Sequence, residues 1–211
     1  MHMKKAAIAM VMFATLCQGT AMRVADADSG PTPAQAASLK QTLYTCGVCH
    51  GSKGQSVSPT FPNLAAQSAA YVSLQLHAFK DQSRADPDAQ AYMWGMAAHL
   101  DDGQIEALGQ YFAGQPAAAG VPGDPALVAA GKSIFTLGIP ARQIPPCATC
   151  HGARAEGIGP FPRLAGQHAP YLLKQLLVIQ SVLRSAPVMH GVIKDLSRSQ
   201  MNAVATYLQS L

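Results

Sequence analysis

The sequence predicts an all-α protein built as two tandem copies of one small helical domain. Three observations carry that prediction. The pentapeptide Cys46-Gly47-Val48-Cys49-His50 returns 101 residues later as Cys147-Ala148-Thr149-Cys150-His151. The segment Phe61-Pro62-Asn63-Leu64-Ala65-Ala66-Gln67 returns as Phe161-Pro162-Arg163-Leu164-Ala165-Gly166-Gln167. Elsewhere apolar residues recur at helical spacing, and no strand pattern of any length interrupts them.

C-x-x-C-H is the attachment signature of a c-type haem. Two thiols at this spacing add across the two vinyl groups of one porphyrin, and the histidine that follows lies beneath the iron. Cys46, Cys49, Cys147 and Cys150 are therefore read as thioether positions for two covalently attached haem c, with His50 and His151 as axial ligands. A zinc ribbon would place its paired knuckles about 15–20 residues apart, and a thioredoxin-like pair would sit in a βαβ context. Neither pattern is present.

Two domains of about 90 residues each bury little surface, and a covalently held apolar cofactor remedies that. At 49 % hydrophobic and 12 % charged residues the chain reads as globular rather than disordered. Residues 1–21 read as a secretory signal peptide: Lys4 and Lys5, an apolar run from Ala6 to Leu16, then Gly19, Thr20 and Ala21. That run is shorter than the ~20 residues a membrane span needs. Cleavage after Ala21 is expected, with the Ala25-Asp26-Ala27 site as the alternative. Cys17 leaves with the signal, so the two motifs account for every remaining cysteine. Export to the periplasm also matches the place where haem c is attached in bacteria.

In chain order, a Pro/Ser/Asp-rich arm at 26–33 precedes a first helix over Ala34 to Thr45, with Leu39 and Leu43 on one face. A glycine-rich loop follows His50. Ser68 caps a helix to about Gln82 that carries Tyr71, Leu74, His77 and Ala78. Residues 83–90 form a polar loop broken by Pro87. Asp101 and Gln104 resemble a capping box ahead of a helix with Ile105, Leu108, Tyr111 and Phe112 inward. The stretch 114–123 is an Ala/Pro/Gly linker. Asp124-Pro125 restarts the pattern as an N-cap followed by an N1 proline. Tyr171 and Gln175-Leu176 answer Tyr71 and Gln75-Leu76, and Ser197 with Gln200 caps the closing helix to Leu211.

The ligand opposite each histidine decides between electron transfer and catalysis. Met93-Trp94-Gly95 and Met189-His190-Gly191 share an M-x-G-x-x-x-x-L frame ending at Leu100 and Leu196. That frame favours Met93 and Met189 over Met96, whose counterpart is Val192, and over Met201, a core position in the last helix. The rival is a histidine from among His77, His99, His168 and His190, none of which recurs at the matching place. Pro62 and Pro162 are read as supports, their carbonyls accepting the second ring N–H of each ligand histidine.

Together, the two C-x-x-C-H motifs, each followed by F-P-x-L-A-x-Q, Y-x-x-x-Q-L, a methionine and a closing helix with a tyrosine, resemble the dihaem cytochrome c4 family from about Ala34 to Leu211. The resemblance implies tandem duplicated class I cytochrome c domains, here over 22–117 and 118–211, packed face to face about a pseudo-twofold axis. It implies His/Met ligation of both haems, with propionates near the interface. It also implies a periplasmic electron carrier, peripherally membrane-associated in some members, that passes electrons from a donor such as a quinol-oxidising complex toward a terminal oxidase. One departure stands out: the loop before Met189 is about four residues shorter than that before Met93.

Residues 22–120 carry five Lys/Arg against eight Asp/Glu, and residues 121–211 carry eight against three. An acidic half joined to a basic half orients a protein during encounter with charged partners. No nucleic acid is expected as partner, given the export signal and the modest basicity. Two other functions compete: a cytochrome subunit of a periplasmic dehydrogenase of the sulfide dehydrogenase type, and a dihaem peroxidase. A methionine for each haem and the short chain speak against the peroxidase.

Overall fold

The computed structural model describes residues 32–211. The signal segment, both cleavage sites and Cys17 lie outside the described residues. Among the described residues the secondary structure is helical apart from two isolated bridges.

Helix α1 (Pro33–His50) begins at Thr32, whose side chain accepts from the Gln35 N–H while the Gln35 side chain accepts from the Thr32 N–H. The expected helix stops at Thr45, but α1 runs on through the motif. Nothing between Thr45 and His50 breaks the ladder, and Gly51 at φ +79° ends it. Continuation puts Cys46, Cys49 and His50 at i, i+3 and i+4, on one face.

The second domain reaches its motif differently. Helix α5 (Pro125–Leu137), capped by Asp124, stops at Gly138, where φ is +69° and a Cβ would lie 2.2 Å from Ile144 O. The chain then loops through Pro140, Pro145 and Pro146, tied by the Ile139–Ile144 bridge, into the short α6 (Ala148–His151). The prolines explain the break, since each removes an N–H donor from any helix that would continue.

After the motifs come α2 (Ala69–Lys80), with Ser68 as its cap, and its counterpart α7 (Ala169–Gln180). Residues 61–87 match 161–187 at a constant offset of 100, and beyond Pro87 the offset falls to 96. The four additional residues lie where the first domain widens into a π-helical turn (Ala89–Met93) before α3 (Trp94–Ala97). The second domain has one helix there, α8 (Pro187–Ile193). Both methionine segments are thus helical, where a loop was expected before Met93. Closing helices α4 (Asp102–Ala113) and α9 (Arg198–Gln209) each start at a complete capping box, Asp101 with Gln104 and Ser197 with Gln200.

The first core gathers Val72, Phe79, Ile105, Leu108 and Phe112 between α2 and α4. In the second domain α5 crosses α9 closely, and Phe135, Leu172, Val204 and Leu208 fill that crossing. A neighbouring cluster holds Ile179, Ile193 and Met201, which is fully buried.

Candidate haem sites at the domain interface

His50 is 7 % exposed, and its Nδ1 donates to Pro62 O at 2.9 Å. His151 is equally buried and donates to Pro162 O at 3.0 Å. A carbonyl only accepts, so Nδ1 carries the proton in each ring and Nε2 keeps its lone pair for a metal. Burial pushes both imidazoles below their ordinary pKa, with the carbonyl hydrogen bond opposing, so both are neutral at pH 7. Phe61 and Phe161 stand edge-on to these rings, with centroids 6.0 and 6.2 Å away.

Burial likewise raises the Cys46 thiol, and it pushes the Cys147 thiol up to about 11. The four motif cysteines form no disulfide. Among the described residues no three of His, Cys, Asp and Glu converge as a metal-holding group, which leaves a zinc-ribbon reading without a ligand set.

One cavity of about 700 Å³ receives both motifs. Its walls include Cys46, Cys49, His50, Pro62 and Met93 from the first domain, and Cys147, Cys150, His151, Pro162 and Met189 from the second. Met96 reaches the same cavity but is 56 % exposed, and Met201 stays in the core away from it. Of the four rival histidines among the described residues, His77 and His99 are exposed. His168 donates from Nε2 to Ser56 O, 2.9 Å away in the other domain. His190 donates to Ile179 O at 3.1 Å, as Trp94 at the matching position donates to Arg84 O at 2.9 Å.

The domains meet through paired polar contacts that the sequence reading left without a role. Gln167 accepts from the Asn63 N–H (2.8 Å) and donates to Asn63 O (3.0 Å). Gln67 makes the same two bonds to Arg163 at the same lengths. Farther along, Arg84 and Arg184 both donate to Gln75 and to Gln175, so two guanidinium groups share two amide oxygens. Arg84 also pairs with Asp86 at 2.9 Å, whereas Ala186 stands at the matching place beside Arg184. Recurrence at the offset of 100 was the signal available for these residues, since Gln67/Gln167, Gln75/Gln175 and Arg84/Arg184 all keep it.

Neutral, oriented histidines and attachment thiols on the walls of one apolar cavity, in duplicated helical domains, define a dihaem c-type cytochrome. The cytochrome c family model matches residues 37–115 and 128–211. Cytochrome c-552 of Acidithiobacillus ferridurans is 42 % identical over 168 residues, 79 % of this chain and 73 % of that protein. Cytochrome c4 of Pseudomonas aeruginosa is 35 % identical, covering 83 % of this chain and 88 % of that protein. A thiosulfate dehydrogenase electron acceptor of Thiomonas intermedia is 36 % identical over 83 % of this chain and 82 % of its own. The solved structure of Acidithiobacillus ferrooxidans cytochrome c4 superposes with a TM-score of 0.76 at 42 % identity, over 80 % of this chain and 99 % of that one.

The chain belongs to the cytochrome c4 family of dihaem electron carriers, and it binds two covalent haem c rather than acting as an enzyme. Haem c supplies a one-electron iron couple. The surrounding residues bind it, orient each histidine through a proline carbonyl and exclude water with apolar walls. No helix of the described residues is long and apolar enough to cross a membrane.

Proposed function

We propose that this protein is a periplasmic electron carrier in which His50 and Met93 ligate the first haem iron and His151 and Met189 the second. Cys46 with Cys49, and Cys147 with Cys150, hold the two porphyrins, while Pro62 and Pro162 set the basicity of the ligand histidines. The domains run over 22–117 and 118–211 behind a signal peptide at 1–21. The observation that carries the reading is the pair of buried histidines, each with its Nδ1 proton on a proline carbonyl, on a cavity that Met93 and Met189 also line.

Electrons enter from a quinol-oxidising complex or another periplasmic donor and leave to a terminal oxidase. A second reading is favoured by the likeness to the thiosulfate dehydrogenase electron acceptor: the donor is then a periplasmic dehydrogenase. Stopped-flow reduction by each class of donor separates the two. For the ligands, spectroelectrochemical titration of Met93→His and Met189→His tests the assignment. Each variant should lower one potential and leave the other in place; a variant that moves neither removes its methionine from the ligand set.

A further inference from the structure

Gln67 and Gln167 close the F-P-x-L-A-x-Q segment in both domains, and neither hydrogen-bonds to the ring of its own domain's motif histidine. Each is 6 % exposed. The Asn63 N–H that Gln167 Oε1 accepts belongs to the same peptide plane as the Pro62 carbonyl that holds His50. The Arg163 N–H accepted by Gln67 likewise shares its plane with the Pro162 carbonyl that holds His151. The amide orientation is unambiguous: Gln167 Oε1 also accepts from the His168 N–H at 3.1 Å, and its Nε2 faces Asn63 O. Gln67 Oε1 accepts from the Ser68 N–H at 3.0 Å in the same way.

Hydrogen bonds joined through one peptide polarise one another. Accepting from the N–H pushes amide electron density toward the carbonyl oxygen, which then accepts more strongly from the imidazole. A stronger acceptor makes the histidine a more basic ligand, and a more basic ligand favours the oxidised iron.

We propose that Gln67 and Gln167 are crossed positioning residues: each glutamine tunes the histidine of the opposite domain, Gln167 acting on the first haem and Gln67 on the second. The proposal rests on His50 and His151 being the ligands. Domain packing thereby enters the potential of each haem, and loosening the interface raises both.

The test uses the holoprotein with Gln167→Met, Gln67→Met, Gln167→Glu and Asn63→Ala, followed by spectroelectrochemical titration and proton NMR of the two histidine Nδ1–H signals. Gln167→Met should raise the potential of the first haem, weaken the hydrogen bond reported by the His50 Nδ1–H shift, and leave the second haem in place. Gln67→Met should do the mirror image. Gln167→Glu keeps an oxygen acceptor at that place, and its first-haem potential stays at or below that of the unmodified protein.

Asn63→Ala removes two other side-chain bonds, one accepted from the Ser56 N–H within the first domain and one donated to Gly166 O across the interface, while sparing the peptide, so it should shift the first haem less than Gln167→Met. Equal shifts of both haems in every variant, an Asn63→Ala shift as large as that of Gln167→Met, or no shift at all would overturn the proposal. Absence of hyperfine-shifted Nδ1–H signals in the oxidised protein sinks the ligand assignment instead, whatever the glutamine variants do.

Discussion

The first domain enters its motif along one unbroken helix and spends twelve residues between the end of α2 and Met93; the second reaches its motif through the loop 138–147 and spends eight between the end of α7 and Met189. Against these differences stand parts that are copied almost atom for atom. The His–Pro bonds agree within 0.1 Å, and the glutamine clamps agree at 2.8 and 3.0 Å. Connections between elements accept extra residues because lengthening a loop costs little. A peptide whose N–H and C=O are both bound to fixed partners has no such freedom. The comparison separates what two haem sites need in common from what lets them differ.

The largest break in the symmetry is the carboxylate beside Arg84. Asp86 is 1 % exposed and bonds Arg84, while Arg184 has no carboxylate partner among the described residues. Removing one member of a buried pair typically costs ~3–5 kcal/mol, because the other charge stays buried and unmatched. Asp86→Ala is expected to lose about that much in denaturant unfolding. A loss below ~1 kcal/mol, the range of exposed pairs, would show that Arg84 does not depend on Asp86.

The next effect concerns helix crossings. A Cβ at Gly131 would sit 2.0 Å from Ala203 O, a backbone atom that cannot swing away. One at Gly109 would meet Ser73 Oγ at 2.8 Å and Ala69 O at 2.9 Å. Overpacking costs ~1–3 kcal/mol, against a helix-propensity gain from Gly to Ala of ~1 kcal/mol. Gly131→Ala should therefore destabilise by ~2 kcal/mol or more, and Gly109→Ala by clearly less. The same order should appear in thermal unfolding; equal losses would mean that the first domain's crossing is as tight as the second's. The capping boxes offer a control that ought to be symmetric. Asp101→Ala and Ser197→Ala each remove one side-chain acceptor at a helix start and should each cost ~1 kcal/mol.

Much of this arrangement was legible in the sequence because it was written twice. The motifs, both closing capping boxes, the Ser68 and Asp124 caps and the burial of Ile105, Leu108 and Phe112 follow from spacing and local chemistry. The run of α1 through Cys46 to His50 did not, since a glycine and a metal-binding motif look like a helix end until the i, i+3, i+4 geometry is seen. The π-helical turn at Ala89–Met93 was hidden because no propensity scale marks an inserted residue inside a helix. Gln167 and Asn63 lie 104 residues apart, and no local pattern announces a bond at that range. The offset of 100 between Gln67 and Gln167 was visible; what it served was not.

The smallest effect lies where the acidic and basic halves meet. Asp88 pairs with Lys174 across the interface, and both are partly exposed. Asp88 follows Pro87 as Val188 follows Pro187, and Leu74 stands where the repeat places Lys174. One side of the pseudo-twofold thus carries an ion pair where the other carries two apolar residues, Leu74 and Val188, each more than half exposed. An exposed pair of this kind is worth ~0.2–1 kcal/mol and weakens with salt, since the Debye length falls to ~3 Å at 1 M. A double-mutant cycle with Asp88→Asn and Lys174→Met should give a coupling in that range at low ionic strength and close to none at 1 M salt. A coupling that survives 1 M salt would mean the pair is shielded from solvent in the holoprotein. The charge asymmetry would then hold the two domains together as well as steer their partners.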